Sequence, residues 1–368
     1  MSKKRIVSLI ASAAIITTLF AGCGTKTTPA PSGTTGGDKA PAATKLKVGL
    51  VTDQGGVNDG SFNQSAKEGI DKAVTDLGVT AQNPLESKTQ DQYEPNLKTM
   101  SSVADLTVGC GFMMQQSMTN VAGLSADKKF LIIDSVVDKP NVSSILFKEH
   151  EGSFLAGVIA AKTSKTGKIG FVGGMEGEVI NRFEAGFIAG IMSVNKDMAK
   201  DLMPKDDKTP GASSVYLGTF DDSGKGSEAA RTLYGKGVDI IYHAAGGAGL
   251  GVFKVAKEQN KFAIGVDSDQ GAKYPEYKDI ILVSMEKKVG LAAYNTIKDL
   301  QAGKFAGGTT QNLGIKEGGV GLAPTVSSSV SSEAIELAKK AETMIKEGKI
   351  VVPGTRAELL KFTPVEIK

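Results

Sequence analysis

The sequence predicts an α/β chain built on doubly wound parallel sheets, arranged as two lobes. Three observations point there: short apolar runs that do not alternate with polar residues, helix-length stretches between most of them, and a length of 368 residues. Runs without alternation suit strands covered on both faces. Their alternation with helices gives βαβ units. At ~100–200 residues per domain, the length suggests two domains.

In chain order, a strand over 46–51 is followed by helices over 61–77 and 93–103 and strands over 106–110, 130–133 and 144–147. A helix over 152–163, a strand over 169–172, a helix over 183–194 and a strand over 214–217 come next. Helix 226–235, strand 238–242, helix 251–259 and strands 262–266 and 280–284 continue the alternation, and helices 287–301 and 332–346 end it. So many strands exceed what one such domain usually holds.

Composition narrows the function classes. A formal net charge of +3 is too small to imply a nucleic-acid partner. Two Cys and two His exclude a cysteine-rich zinc module and a disulfide framework. The excess positives sit at Lys3, Lys4 and Arg5, ahead of the apolar run 6–20 and the small residues Ala21 and Gly22. A basic segment, an apolar core of ~7–15 residues and small residues at the end make a secretory signal peptide over 1–22. The run Leu19-Phe20-Ala21-Gly22-Cys23 resembles a bacterial lipobox, with Phe20 where Leu is usual. The resemblance implies lipid on Cys23 and a lipid-anchored location on the outer face of the cell membrane. Residues 24–44, rich in Gly, Pro, Thr and Ala, read as a disordered tether. Without Lys3, Lys4 and Arg5 the basic and acidic side chains balance, as suits an uncharged solute captured without electrostatic steering. Cys110 then stands alone and reads as a buried strand-end thiol.

The strand-end loops share a chemistry. Asp53-Gln54-Gly55-Gly56, Asp134-Ser135, Gly173-Gly174-Met175-Glu176, the glycine-rich 244–249 and Asp267-Ser268-Asp269 all follow apolar runs. Ligands of open α/β sheets sit outside the carboxyl ends of the strands. Gly there lets backbone approach a ligand, or serves turn geometry alone. No phosphate loop, zinc-protease motif or nucleophile elbow is present, and His150 and His243 offer little for a triad or a metal. No cofactor is expected. Gly246-Gly247-Ala248-Gly249-Leu250-Gly251, with Asp267 later, echoes a dinucleotide fingerprint whose third Gly comes one residue early. An acid after a strand suits ribose hydroxyls.

The segment 48–64, VGLVTDQGGVNDGSFNQ, resembles the signature of the basic membrane protein family, the substrate-binding lipoproteins of ABC importers. Further similar stretches are 147–157, 170–176, 183–187, 244–249 and 284–288. The pattern is most similar to the branch of that family that receives purine nucleosides. The resemblance implies a type I periplasmic-binding-protein fold: two α/β lobes joined by three crossing segments, near 147–152, 283–286 and 319–325, with ligand in the cleft. It places 45–150 and 286–322 in one lobe and 151–285 and 323–368 in the other. It further implies a non-enzymatic receptor that delivers its solute to a membrane permease.

The resemblance also carries candidate site residues. Phe62 and Phe220 would sandwich the base, one from each lobe; otherwise each packs in its own core. Their polar neighbours favour exposure. Asp53 and Asn63 would meet the purine edge, since a carboxylate accepts and an amide both donates and accepts; Asp53 could instead be a turn acid. Asp267 would take ribose hydroxyls, with Lys287 as donor, Gly246 and Gly247 closing nearby and Asp134 in a lesser role. Lys287 could equally be a solvated lysine at a helix start, with Lys288 in its place if the register slips. Glu286 stands where the family pattern carries less charge. Two rival classes remain open: a same-fold receptor for riboflavin, another nucleoside or a sugar, and an extracytoplasmic enzyme or sensor.

Overall fold

A computed structural model describes residues 45–367. The signal segment 1–22, Cys23 and the tether 24–44 lie outside the described residues.

β1 (Lys47–Thr52) leads through α1 (Phe62–Leu77) to the short β2 (Thr80–Ala81) and β3 (Leu85–Glu86). α2 (Tyr93–Val103), β4 (Leu106–Cys110), α3 (Gln115–Leu124), β5 (Lys129–Ile133) and β6 (Val142–Phe147) follow. Next come α4 (Glu149–Thr163), β7 (Ile169–Gly173), α5 (Glu178–Val194), β8 (Ser214–Tyr216), α6 (Ser223–Gly235) and β9 (Ile240–Ala244). α7 (Leu250–Glu258), β10 (Phe262–Asp267), α8 (Gln270–Lys273), β11 (Ile281–Lys287), α9 (Val289–Gln301) and β12 (Thr309–Leu313) continue. β13 (Val320–Leu322), α10 (Ser332–Lys346) and α11 (Arg356–Leu359) complete the order.

Two sheets result. The first runs β12-β6-β5-β4-β1-β2, with β3 also on β1, and all its pairs are parallel. The second runs β13-β11-β10-β9-β7-β8, parallel except for the antiparallel edge strand β13. Buried apolar residues on successive strands fill both, as the uninterrupted runs require: Val48, Leu50 and Val108 in one sheet, Ile240, Ile241 and Ile264 in the other.

The chain passes between the sheets three times: between Phe147 and Glu149, between Lys287 and Val289, and between Leu313 and Val320. The last two crossings lie a few residues from the expected 283–286 and 319–325. β11 runs on to Lys287, and Val320–Leu322 pairs with Met285–Lys287, so these residues hydrogen-bond in the second sheet rather than the first. At the carboxyl end, α10 packs on α4 and α11 on α5.

α4 and α5 form the largest helix pair. α4 is buried almost all round, which suits a helix with elements packed on several sides. Glycines on both helices set the approach: a Cβ at Gly190 of α5 would lie 2.0 Å from the Phe154 carbonyl oxygen, and one at Gly157 of α4 2.2 Å from that of Phe187. The short β2, β3, β13, α8 and α11 escape the sequence reading, and so do two longer elements. β12 is the polar edge strand Thr-Thr-Gln-Asn-Leu, and α3 buries only Met118, Val121 and Ala122.

Candidate functional site

The carboxyl ends of both sheets face a common cavity whose atom-free space, open solvent at its mouth included, is about 480 Å³. Of the ligand-binding candidates, Asp53, Phe62, Asn63, Asp134, Phe220, Gly246, Asp267 and Lys287 line it. Gly247 sits just behind: a Cβ there would approach the Asp59 Cα at 3.7 Å. Cys23 lies outside the described residues. The cavity therefore gathers residues up to 234 positions apart in sequence, from Asp53 to Lys287.

From the first sheet, β1 ends at Thr52 and hands on to Asp53. Asp53 Oδ1 accepts from the Gly55 amide at 3.0 Å and from Asn63 Nδ2 at 2.8 Å. Asp59 closes the turn before α1. Its carboxylate accepts from the amides of Ser61, Asn63 and Gln64, and from Asn63 Nδ2 at 3.0 Å. This satisfies helix-start amides that lack an intrahelical partner. Both Asn63 amide hydrogens are thereby spent on acids, while the buried Asn63 Oδ1 has no protein partner. Asn63 therefore offers the cavity an acceptor only, where the sequence suggested both roles. Burial pushes Asp53 up to about 6, against the hydrogen bonds from Asn63 and Gly55. It also raises Asp59, against the amides it caps.

Two strand ends place their acids through an uncommon backbone. Asp134, after β5, has φ 70°, and Asp267, at the end of β10, has φ 63°. Asp tolerates this left-handed region better than most residues, and such positions cluster at functional sites. Asp267 Oδ2 accepts from the Ser61 hydroxyl across the cleft. Burial pushes Asp267 up to about 7, with Lys287 and Ser61 opposing.

Lys287 is neither a helix-start residue nor solvated. It is the last residue of β11 and its side chain is 1% exposed. Its Nζ lies 2.5 Å from Asp134 Oδ2 and 2.9 Å from Glu149 Oε1, and about 5 Å above the ring centres of Phe62 (5.0 Å) and Phe147 (5.2 Å). Burial works against the ammonium, and Asp134, Glu149 and Asp267 more than offset it, holding its pKa above the ordinary lysine value. Lys288 is the outward residue, paired with Glu286. Strand alternation thus turns the unexpected Glu286 away from the side Lys287 occupies.

Phe220 enters from the loop after β8. A Cβ on Gly174 would sit 2.2 Å from its ring, and its carbonyl accepts from the Ala248 amide at 2.9 Å. Gly246, at φ 54°, packs against the same residue. The echo of a dinucleotide fingerprint thus builds a wall for Phe220. His243, next to it, is buried, bonded to Gln270 at 3.1 Å and lowered to about 4 by burial. It is a neutral packing residue. Cys110 is a buried strand end whose thiol burial raises. Among the described residues no group of three or more His, Cys, Asp or Glu is placed to hold a metal ion.

Several cavity residues did not stand out in the sequence. Asp59 and Phe112 line it, and both lie in loops at strand carboxyl ends, the place where ligands of such sheets sit. Glu149 is fully buried against Lys287, but nothing in Lys148-Glu149-His150-Glu151 marks which charge turns inward.

Further bonds join the two sides of the cleft. Ser268 Oγ donates to the Gly60 carbonyl at 3.0 Å, and Lys273 pairs with Glu68 at 3.2 Å.

Comparison with known proteins agrees with this architecture. The chain is 37% identical over 371 residues to the ABC transporter nucleoside-binding protein BmpA of Lactococcus lactis, covering 96% of this chain and 99% of that one. It is 34% identical over 327 residues to basic membrane protein A of Borreliella burgdorferi, covering 86% and 90%. The crystal structure of an ABC transporter solute-binding protein from Aeropyrum pernix superposes with a TM-score of 0.74 at 28% identity, over 86% of this chain and 96% of that one. Lac repressor structures share the fold at 14% identity with a TM-score of 0.53. The model of the Bmp family, described as ABC transporter substrate-binding protein PnrA-like, matches residues 46–356. The chain belongs to this Bmp family of ABC transporter substrate-binding proteins.

Proposed function

We propose that this chain captures a purine nucleoside in the cavity between its two sheets and presents it to a membrane permease. The observation that carries this reading is the lining itself: two phenylalanines from opposite sheets, Phe62 and Phe220, among buried acceptors. A base stacked on an aromatic ring gains ~1–3 kcal/mol by alanine substitution in nucleic-acid sites. The nucleoside named for the Lactococcus relative supports the same ligand class.

The residues divide the work. Phe62 and Phe220 face the two sides of the base. Asp53 and the Asn63 carbonyl accept from ring N–H or amino groups, and Asp267 accepts from ribose hydroxyls. Lys287 supplies a donor from within its carboxylate pair. Four acids around one lysine disfavour phosphorylated ligands, so a neutral nucleoside is preferred over a nucleotide. The ligand stabilises the closed arrangement through contacts to both sides of the cleft.

The same reading includes export and lipid attachment at Cys23, carried by Lys3-Lys4-Arg5, the apolar run and the lipobox-like 19–23. Among the described residues no helix is long and apolar enough to cross a membrane. Replacing Cys23 by Ala should release the protein from washed membranes; retention would contradict the anchor. Mass spectrometry of small molecules released on denaturing the purified protein tests the ligand class. Guanosine, inosine or adenosine supports it, and stoichiometric riboflavin or a sugar overturns it.

A further inference from the structure

The lysine in the cavity is held from behind. Glu149 is fully buried, with one oxygen 2.9 Å from Lys287 Nζ and the other accepting from Arg182 Nε at 2.6 Å. Arg182, on α5, is 20% exposed and lines an outer groove with His150, Glu178, Asp207 and Gly354. With Asp134 at the front, the row reads Asp134–Lys287–Glu149–Arg182: two acids, two cations, no net charge. It runs from the cavity wall of the first lobe to the outer face of the second.

From this geometry we infer that Glu149 and Arg182 are positioning residues for nucleoside binding: they set the charge balance and the place of the Lys287 ammonium without themselves lining the cavity. The inference rests on the ligand reading above. Lys287 on its own would sit between two carboxylates, a surplus of negative charge in a site with little water. Arg182 cancels that surplus. Burial pushes the Glu149 carboxyl up, and Lys287 and Arg182 together hold it below its ordinary value. Burial raises Asp134, only partly opposed by Lys287.

The other titratable groups facing this row are Asp267, Asp53 and Asp59 on the cavity side, Glu178 beside Arg182, Lys148 just before α4, and His150 and Glu151 on it. Asp53 and Asp267, pushed up to about 6 and 7 by burial, also change charge in this window, so the informative quantity is the ratio of variant to wild-type affinity at each pH. In Arg182→Met the missing positive charge can be replaced by a proton on Asp134 or Glu149 at low pH, but not at high pH. The loss should therefore grow with pH. In Glu149→Gln the surplus is positive, and ionisation of Asp267 and Asp53 relieves it as pH rises. That loss should shrink with pH.

The test is calorimetric titration of inosine into wild type, Arg182→Lys, Arg182→Met and Glu149→Gln between pH 5.5 and 8.5. Arg182→Lys should stay within about threefold of wild type, and Arg182→Met should weaken binding on the order of tenfold at the upper end. The two losses should slope oppositely with pH. A loss that is the same at every pH, or no loss, overturns the inference and leaves Arg182 a packing residue. A wild type that binds no nucleoside overturns the ligand reading alone. The inference is then read from carboxyl carbon-13 shifts of the free proteins. Glu149 should stay ionised from pH 5.5 to 8.5 in wild type, and one carboxyl of the Asp134–Glu149 pair should titrate in that window in Arg182→Met. An unchanged titration would overturn it. Should Arg182→Met fail to fold, Glu149→Gln carries the same test.

Discussion

Among the described residues, the buried ion clusters around Lys287 and Arg356 are built from the same chemistry and set to different tasks. Around Lys287 the partners come from both sides of the cleft: Asp134 at the end of β5 and Glu149 at the start of α4. Around Arg356 they come from one side only. Its Nε donates to Glu184 at 2.7 Å, its Nη1 to Glu176 at 2.6 Å and to the Lys208 carbonyl at 3.0 Å, and its guanidinium lies over Tyr216. Glu184 also accepts from the Tyr216 hydroxyl at 2.7 Å. The Arg356 cluster therefore fastens the carboxyl-terminal segment to α5. The Lys287 cluster spans the cleft that, on the proposed reading, opens to admit a solute. The fork of a guanidinium suits the first task, and a compact ammonium on a flexible stem suits the second.

The comparison can be broken at either end. The largest effect should come from Arg356→Ala. It leaves Glu184 buried without its cation, and breaking such a pair costs about 3–5 kcal/mol. Thermal melting should drop by several degrees while inosine affinity stays near wild type; an affinity loss as large as the stability loss would erase the distinction between the clusters. Lys287→Met should do the reverse. Truncating one partner of a buried hydrogen-bonded charge pair in an interface costs ~2–5 kcal/mol, and calorimetry should find that loss in binding, whereas unchanged binding would reduce Lys287 to a structural ion.

Smaller effects follow at the cavity wall. Phe62→Ala and Phe220→Ala should each weaken guanosine or inosine by ~1–3 kcal/mol; unchanged affinity in both removes the base slot. Asp267→Ala should cost nucleosides more than the corresponding free bases, and equal losses would remove Asp267 from the ribose.

A separate effect, read without ligand, is on the pH dependence of stability. Asp267, with a pKa near 7 when folded against an ordinary 3.8, holds its proton more tightly in the folded state. Its contribution is full below pH 4 and is lost as pH rises through 7. Asp53 acts in the same direction through about 6. Melting temperature of the ligand-free protein should therefore fall from pH 5 to pH 8, and Asp267→Asn should flatten the fall. A slope unaltered by the substitution would show that Asp267 does not titrate there.

The sequence carried most of the architecture because its strands are uninterrupted apolar runs. Leu106–Cys110 is legible residue by residue, and Ile169–Gly173 to within one residue. β12 is not, because a polar edge strand has no pattern to show. The glycine and acid positions at strand ends were legible for a physical reason: a ligand outside the strand ends needs close backbone and short acceptors. What resisted reading were states that depend on neighbours far along the chain. The Asn63 side chain looks like a donor and acceptor until Asp53 and Asp59 take both of its hydrogens. Lys287 looks like a surface lysine until Asp134, 153 positions away, reaches it. Glu149 is one of three charged residues in a row of four with His150, and only the packing of α4 selects it.

The most direct test of the central claim is calorimetric titration of the purified, ligand-stripped protein with guanosine, beside the Phe62→Ala/Phe220→Ala double variant. The account predicts saturable one-to-one binding by the wild type and its loss in a double variant that still melts cooperatively. Equal guanosine binding by both proteins, or none by the wild type, would contradict it.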